Sequence, residues 1–175
     1  MFKRLLLIII PFLLFSCSSS VDEKEVKKAR QFFESVFQDM VLDSPEFQAS
    51  LGYKSNYNKW DEITWQASRQ RANRAKDDLV YLKKYIDFDK LDENTKISYR
   101  LMEKRLQRTI DNDKFIFHNY LITHRGGKHS RIPSFLINYH RIDEEQDVKD
   151  YISRLRNVEP LMDDLILQLK LRQDV

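Results

Sequence analysis

Trp65-Gln-Ala-Ser-Arg-Gln-Arg-Ala-Asn-Arg-Ala-Lys-Asp-Asp-Leu-Val-Tyr-Leu-Lys-Lys-Tyr-Ile86 decides the fold class. Within it Trp65, Ser68, Ala72, Ala75, Leu79, Leu82 and Ile86 step by three and four without a break, the period of one helix face. The first half of that face is small, which lets a neighbouring helix approach closely. Its a/d residues are weak and span few turns, so the pattern reads as one seam of a bundle rather than a coiled coil. Only three glycines and four prolines in 175 residues leave little room for hairpins. The chain is predicted to be all-α, an irregular multi-helix bundle.

The flanks extend the pattern. On the amino-terminal side a helix is expected over about Val21–Val41. Ser20 and Glu23 would form its capping box, and Val26, Ala29, Phe33, Val36, Phe37 and Met40 one face. Ser44-Pro45-Glu46 restarts a short helix with proline at its first position, and Gly52 stops it. Residues 53–59 read as a polar, aromatic loop. On the other side, Phe88 and Leu91 bridge to a helix beginning near Asp92 or Glu93. Tyr99, Met102, Leu106, Ile110 and Phe117 form its apolar face, which Ile97 and Leu101 widen. His118 is expected to cap its carboxy-terminal end. Asp143 with Gln146 forms a further capping box, followed by Val148, Tyr151, Ile152 and Leu155 at helical spacing. Pro160 opens a last helix with Leu161, Leu165 and Leu169 on one face and Met162, Ile166 and Leu167 on another. That helix expects partners on two sides.

Between these helices lies His124-Arg-Gly-Gly-Lys-His-Ser-Arg-Ile-Pro-Ser-Phe-Leu-Ile-Asn-Tyr-His-Arg-Ile142. No Asp or Glu occurs from Lys114 to Ile142, so Arg125, Lys128, Arg131 and Arg141 lack local acidic partners. Paired glycines permit positive φ and expose N–H groups, which together with cations favour an anion. Two readings follow. Arg125, Gly126, Gly127, Lys128, His129 and Arg131 line a cleft that takes a carboxylate or phosphate, or they form a solvated basic loop. Pro133–Tyr139 is expected to be a short buried helical turn.

The amino terminus reads as an address. Lys3 and Arg4 precede the apolar run Leu5–Phe15, too short for the roughly 20 residues of a membrane span. Leu14-Phe15-Ser16-Cys17 resembles a bacterial lipobox, making residues 1–16 a signal peptide, Cys17 the acylated first mature residue and 17–21 a tether. The expected localisation is the cell envelope, held to the lipid bilayer through Cys17. Ser18 favours the outer membrane. With one cysteine there is no internal disulfide. The formal net charge of +3 includes Lys3 and Arg4, so it falls to +1 without residues 1–16. A near-neutral domain is not expected to bind nucleic acid.

No self-contained chemistry is visible. There is no His-Glu-x-x-His, no Gly-x-Ser-x-Gly and no phosphate-binding Gly-x-x-x-x-Gly-Lys. The spacing of His124, His129 and His140 matches no metal-site signature. Ser130 beside His129 has no acid to orient the pair. No catalytic residue, metal ligand or cofactor is assigned to this chain.

Four blocks in order do carry a resemblance. Pro45-Glu-Phe-Gln-Ala-Ser-Leu-Gly52, Leu91–Tyr99, Gly126–Leu136 and Asp147–Leu155 resemble successive segments of the bacterial domain of unknown function 885 family. The likeness covers nearly all of residues 30–175. It implies an exported lipoprotein, similar to gluzincin peptidases such as carboxypeptidase Taq, with a helical fold around a deep cleft. The family's zinc motif would lie downstream of residue 175, so residues 22–175 are expected to be the amino-terminal, incomplete part of a larger helical domain. Zinc is expected only in a full-length relative, and a missing carboxy-terminal region is expected to cover the last helix. The loop cations would then grip a peptide substrate's carboxylate. The contrasting expectation is a noncatalytic helical lipoprotein that binds a partner.

Overall fold

The structure, a computed structural model, describes residues 21–173. The expected signal peptide over residues 1–16, the expected acylation site Cys17 and residues 18–20 of the expected tether lie outside the described residues.

Helix α1 (Glu23–Leu42) is capped by Asp22, whose carboxylate accepts from the Lys24 N–H at 2.9 Å. The cap therefore falls on Asp22 and not on the Ser20–Glu23 box. Helix α2 (Pro45–Ser50) is capped by Ser44, with Pro45 where its missing N–H costs nothing. Gly52 follows at φ +85°, the left-handed position that ends a helix. Helix α3 (Trp65–Tyr85) starts at Thr64, and a 3-10 turn (Phe88–Lys90) leads to α4 (Glu93–Asp113), capped by Asp92 as the sequence indicates. A two-residue antiparallel ladder pairs β1 (Ile122–Thr123) with β2 (Gly126–Gly127). Helices α5 (Lys128–Asn138), α6 (Glu145–Arg156) and α7 (Val158–Gln173) complete the fold.

Two packed groups result. In the first, α3 and α4 lie against each other and α1 closes over them. Val26, Ala29, Phe32, Ala75, Leu82, Ile86, Leu91, Tyr99 and Leu106 form its core. Ala72 and Ala75 are buried, so the small half of the α3 face does admit its neighbour closely. Phe32, outside the expected α1 face, is buried and stacks on Tyr81 at 4.9 Å, while Phe37 stays partly exposed. In the second, Ile132, Leu136 and Leu161 bring α5 onto α7, and Phe135 meets Ala49 and Tyr57. Trp60 is packed against both of these clusters.

The structure departs from the expected pattern on α4 and α6 as well. First, Ile97 and Leu101 do not widen the α4 core face but stand 56% and 64% exposed. Second, α4 ends at Asp113, so Phe117 and His118 lie beyond it. The His118 ring sits edge-on to Phe115 and caps nothing. Third, the α6 box is not Asp143 with Gln146. The cap is Glu144, and the Asp147 carboxylate reaches back to accept from the Asp143 and Glu144 N–H groups at 2.8 and 3.0 Å. Fourth, α6 is turned round: Val148, Ile152 and Leu155 are exposed, while Asp147 and Arg154 are buried and Tyr151 half-buried. The buried set has helical spacing too, but it is polar. On α7, Leu161 and Leu165 are buried as expected and Ile166 and Leu167 are exposed, whereas Met162 packs beside Leu161.

Candidate functional site

The stretch expected to be a loop is mostly helix. Lys128, His129 and Arg131 belong to the first turns of α5, and Pro133 lies inside that helix. The glycines are needed for two different reasons. Gly126 has φ +124°, where a side chain is strained, and Gly127 is extended but packed tightly. A Cβ at Gly127 would come within 2.5 Å of the Leu121 carbonyl oxygen. The Gly127 N–H is not free for an anion, because it donates to Ser130 Oγ at 3.1 Å. Ser130 thus serves as a local cap, at the start of a helix with no acidic residue in its first turn. The sequence pairing of Ser130 with His129 has no counterpart in these bonds.

The cations separate. Lys128 pairs with Glu46 of α2, its Nζ also 5.6 Å from the Trp60 ring centre, so its acidic partner comes from far along the chain. Glu46 in turn accepts from the Asp61 N–H at 3.1 Å, and Asp61 accepts from the Glu46 N–H at 2.8 Å and from Ser44 Oγ at 2.7 Å. This reciprocal latch joins the start of α2, the segment before α3 and the start of α5. Arg125 and His129 are exposed, and neither lines the groove described next.

Beside the latch runs an open groove of about 550 Å³ between α1, α3, α4 and the start of α5. Lys128 and Arg131 line it; of the expected cleft residues Arg125, Gly126, Gly127, Lys128, His129 and Arg131, only these two do. Asp39, Arg71, Arg74, Asp78 and Arg105 line it from the long helices, and sequence reasoning missed all of them. They sit on polar faces, where a groove residue and a solvated one have the same pattern. Arg74 is tied to Asp43 and Lys128 to Glu46. Among the described residues, Arg71, Arg131, Asp39 and Asp78 take part in no ion pair. Burial raises the Asp78 carboxyl above the usual carboxylate range, and the charges of Asp39 and Asp77 push it further, against Arg74. That end of the groove favours a cation, and the guanidinium groups favour an anion.

The least expected feature is buried. Arg154 has no exposed surface, and its Nε donates to the Lys59 carbonyl at 3.0 Å and Nη2 to that of Pro45 at 3.4 Å. Its guanidinium carbon lies 4.8–5.6 Å from the ring centres of Phe135, Tyr57 and Trp60. Nη1 is 2.9 Å from His140 Nδ1. A guanidinium can only donate, so Nδ1 must accept, and Nε2 carries the hydrogen given to the Asp147 carbonyl at 2.9 Å. Both His140 nitrogens are therefore occupied, and the ring is stacked on Tyr57 at 4.1 Å. The Tyr57 hydroxyl shares its one hydrogen between the carbonyls of Tyr139 and Arg141, each at 3.2 Å, and accepts from the Arg141 N–H, while Asp147 accepts from Lys54 at 2.7 Å.

Burial holds the His140 pKa below its usual value and adjacent Arg154 lowers it further, while the Asp147 carbonyl, with the Asp147 and Asp150 charges, opposes the shift. Tyr151 meets the ring edge-on. Since the folded value is the lower one, the unfolded chain binds the proton more readily. Stability from this group is present above the unfolded pKa of about 6.5 and is lost as pH falls through the folded value. A His140→Gln chain is expected to show a flatter stability profile below that pH. Melting temperatures across the range, compared with the parent, check it; parallel curves contradict it.

Zinc does not fit the residues in hand. Among the described residues no group of three or more His, Cys, Asp or Glu could hold a metal ion. His124 and His129 are exposed, and His140 has no free nitrogen.

Residues 45–174 match the model of a family described as "Bacterial protein of unknown function (DUF885)". No curated protein and no solved structure matches the chain.

Proposed function

The chain belongs to this bacterial family, and from that premise we propose that it is an exported, lipid-anchored helical segment whose mixed-charge groove holds a short peptide by its two free ends. The observation carrying this reading is the set of groove charges outside ion pairs: Arg71 and Arg131, with Asp39 and Asp78. A guanidinium takes a carboxylate through two parallel hydrogen bonds, which suits Arg131 or Arg71 to a peptide's carboxy terminus. Asp39 and the Asp78 carboxyl suit its ammonium. The likeness to zinc metallopeptidases is proposed only for a longer relative, and no catalytic residue or zinc ligand is assigned to residues 21–173.

Trialanine with free ends is expected to bind the full chain in a calorimetric titration. Amidating its carboxylate or introducing Arg131→Glu should weaken binding at least about tenfold, the scale of one charge-assisted hydrogen bond. Equal affinity for free and amidated peptide overturns the reading. The anchor rests on Leu14-Phe15-Ser16-Cys17. In a Gram-negative host the chain is expected to incorporate labelled fatty acid, and Cys17→Ala to abolish both label and processing. Label persisting in that variant removes the anchor. A second reading, a noncatalytic lipoprotein docking a partner through α7, is favoured by Ile166 and Leu167, about half exposed.

A further inference from the structure

The face of α4 turned away from the core has its own composition. At 100° per residue Ile97, Leu101, Lys104 and Arg108 fall within an arc of about 60°, opposite the core residues Tyr99 and Leu106. Ile97 and Leu101 are more exposed than buried, so two large aliphatic side chains stand where α4 needs none for packing. Around Leu101 lie five cations, Lys83, Arg100, Lys104, Arg105 and Arg108, against two carboxylates. Glu103 is already paired with Lys83 at 2.9 Å, and Asp111 accepts from Gln107. Arg100 lies over the Phe88 ring at 5.1 Å. Lys104 and Arg108 enter no ion pair among the described residues.

We propose that this face of α4 lies against an anionic lipid surface, Ile97 and Leu101 entering the headgroup boundary while Lys104, Arg108 and Arg100 meet lipid phosphates. Long cationic side chains lay their methylene stems along apolar surface and keep their heads at the polar layer, so the two residue classes act together there. A nucleic acid gains nothing from Ile97 and Leu101, and the charge of the chain without residues 1–16, +1, is too small for general polyanion binding. No described helix is long and apolar enough to cross a membrane, so the contact is one of surface. It is independent of the peptide reading and of acylation at Cys17.

The chain contains one cysteine, which permits a local test. In the full chain carrying Cys17→Ser, Leu101→Cys is labelled with an environment-sensitive fluorophore, and Ile152→Cys on α6 serves as the control. With vesicles containing phosphatidylglycerol the label at 101 is expected to shift blue and brighten, and with pure phosphatidylcholine to stay unchanged. Molar salt should reverse the shift, since surface charges are then screened within about 3 Å. Adding Lys104→Glu and Arg108→Glu should weaken the response about thirtyfold or more, about fivefold for each of the two cations removed, with helicity unchanged by circular dichroism. Any local insertion of the amino-terminal apolar run is common to every arm. An equal response at 152, on neutral vesicles or with a soluble polyglutamate overturns the proposal, as does no response at 101.

Discussion

Replacing Arg154 with Ala is expected to destabilise the fold by about 3–5 kcal/mol, a large share of the ~5–15 kcal/mol that holds a domain together. Three acceptors lose a donor at once: the part-buried carbonyls of Lys59 and Pro45 and the buried His140 ring nitrogen. A buried acceptor left orphaned, as the His140 nitrogen would be, costs about 1–3 kcal/mol, and the part-buried carbonyls cost less. The rings of Phe135, Tyr57 and Trp60 also lose the group they enclose. Against this, the variant no longer buries a cation that has no carboxylate in direct contact, which keeps the net effect below the sum of its parts. Arg154→Met separates the contributions, because it fills much of the space and donates nothing. Its loss should be about half that of Ala. Urea unfolding followed by circular dichroism reads both, and an Arg154→Ala chain within about 0.5 kcal/mol of the parent would show the cluster to be a passive consequence of packing.

Leu82→Ala should cost about 2–5 kcal/mol, the range for emptying a fully enclosed leucine site. Leu82 has no exposed surface and sits among Ala29, Ala75, Tyr99 and Leu106 in the larger core, where small neighbours cannot move in to fill the void. Leu101→Ala, by contrast, should change stability by no more than about 0.5 kcal/mol, since that side chain is 64% exposed. The pair of variants tests the assignment of Leu82 on α3 to the core and of Leu101 on α4 to the outer surface. Equal losses in the same unfolding measurement would contradict it.

Helix identity was legible where backbone chemistry speaks locally. Ser44-Pro45 and Asp92 announce helix starts through the groups they offer to unpaired N–H donors, and both starts are found. The long α3 face was equally plain. Rotation about the axis was less so. For α6 the apolar residues Val148, Ile152 and Leu155 have helical spacing, yet so do Asp147, Tyr151 and Arg154, and the second set is the one enclosed. Hydrophobicity favours the first; the second is satisfied by Asp143, Glu144 and His140 close by, together with Lys54 and Lys59, more than 90 residues earlier in the chain. The same limit hid the groove. Lys128 looks unpaired over its own neighbourhood because its acid, Glu46, is 82 residues away. A glycine pair next to cations signals an anion site equally well as a tight turn leading into a helix, and here Ser130 closes the turn.

The reach of Arg154 also bears on the order in which the chain acquires its shape during synthesis. Its acceptors at Lys59 and Pro45 are 95 and 109 positions earlier. At ~5–20 residues per second, a ribosome needs about 5–20 s to travel the shorter of these intervals. The α3–α4 hairpin has no such delay, since Tyr99 reaches the Leu82 carbonyl across only 17 positions. A nascent chain is therefore expected to close its long hairpin early and to carry the 53–60 segment, with Tyr57 and Trp60, unsettled until α6 emerges. For that interval those two aromatic side chains are the ones a chaperone would meet.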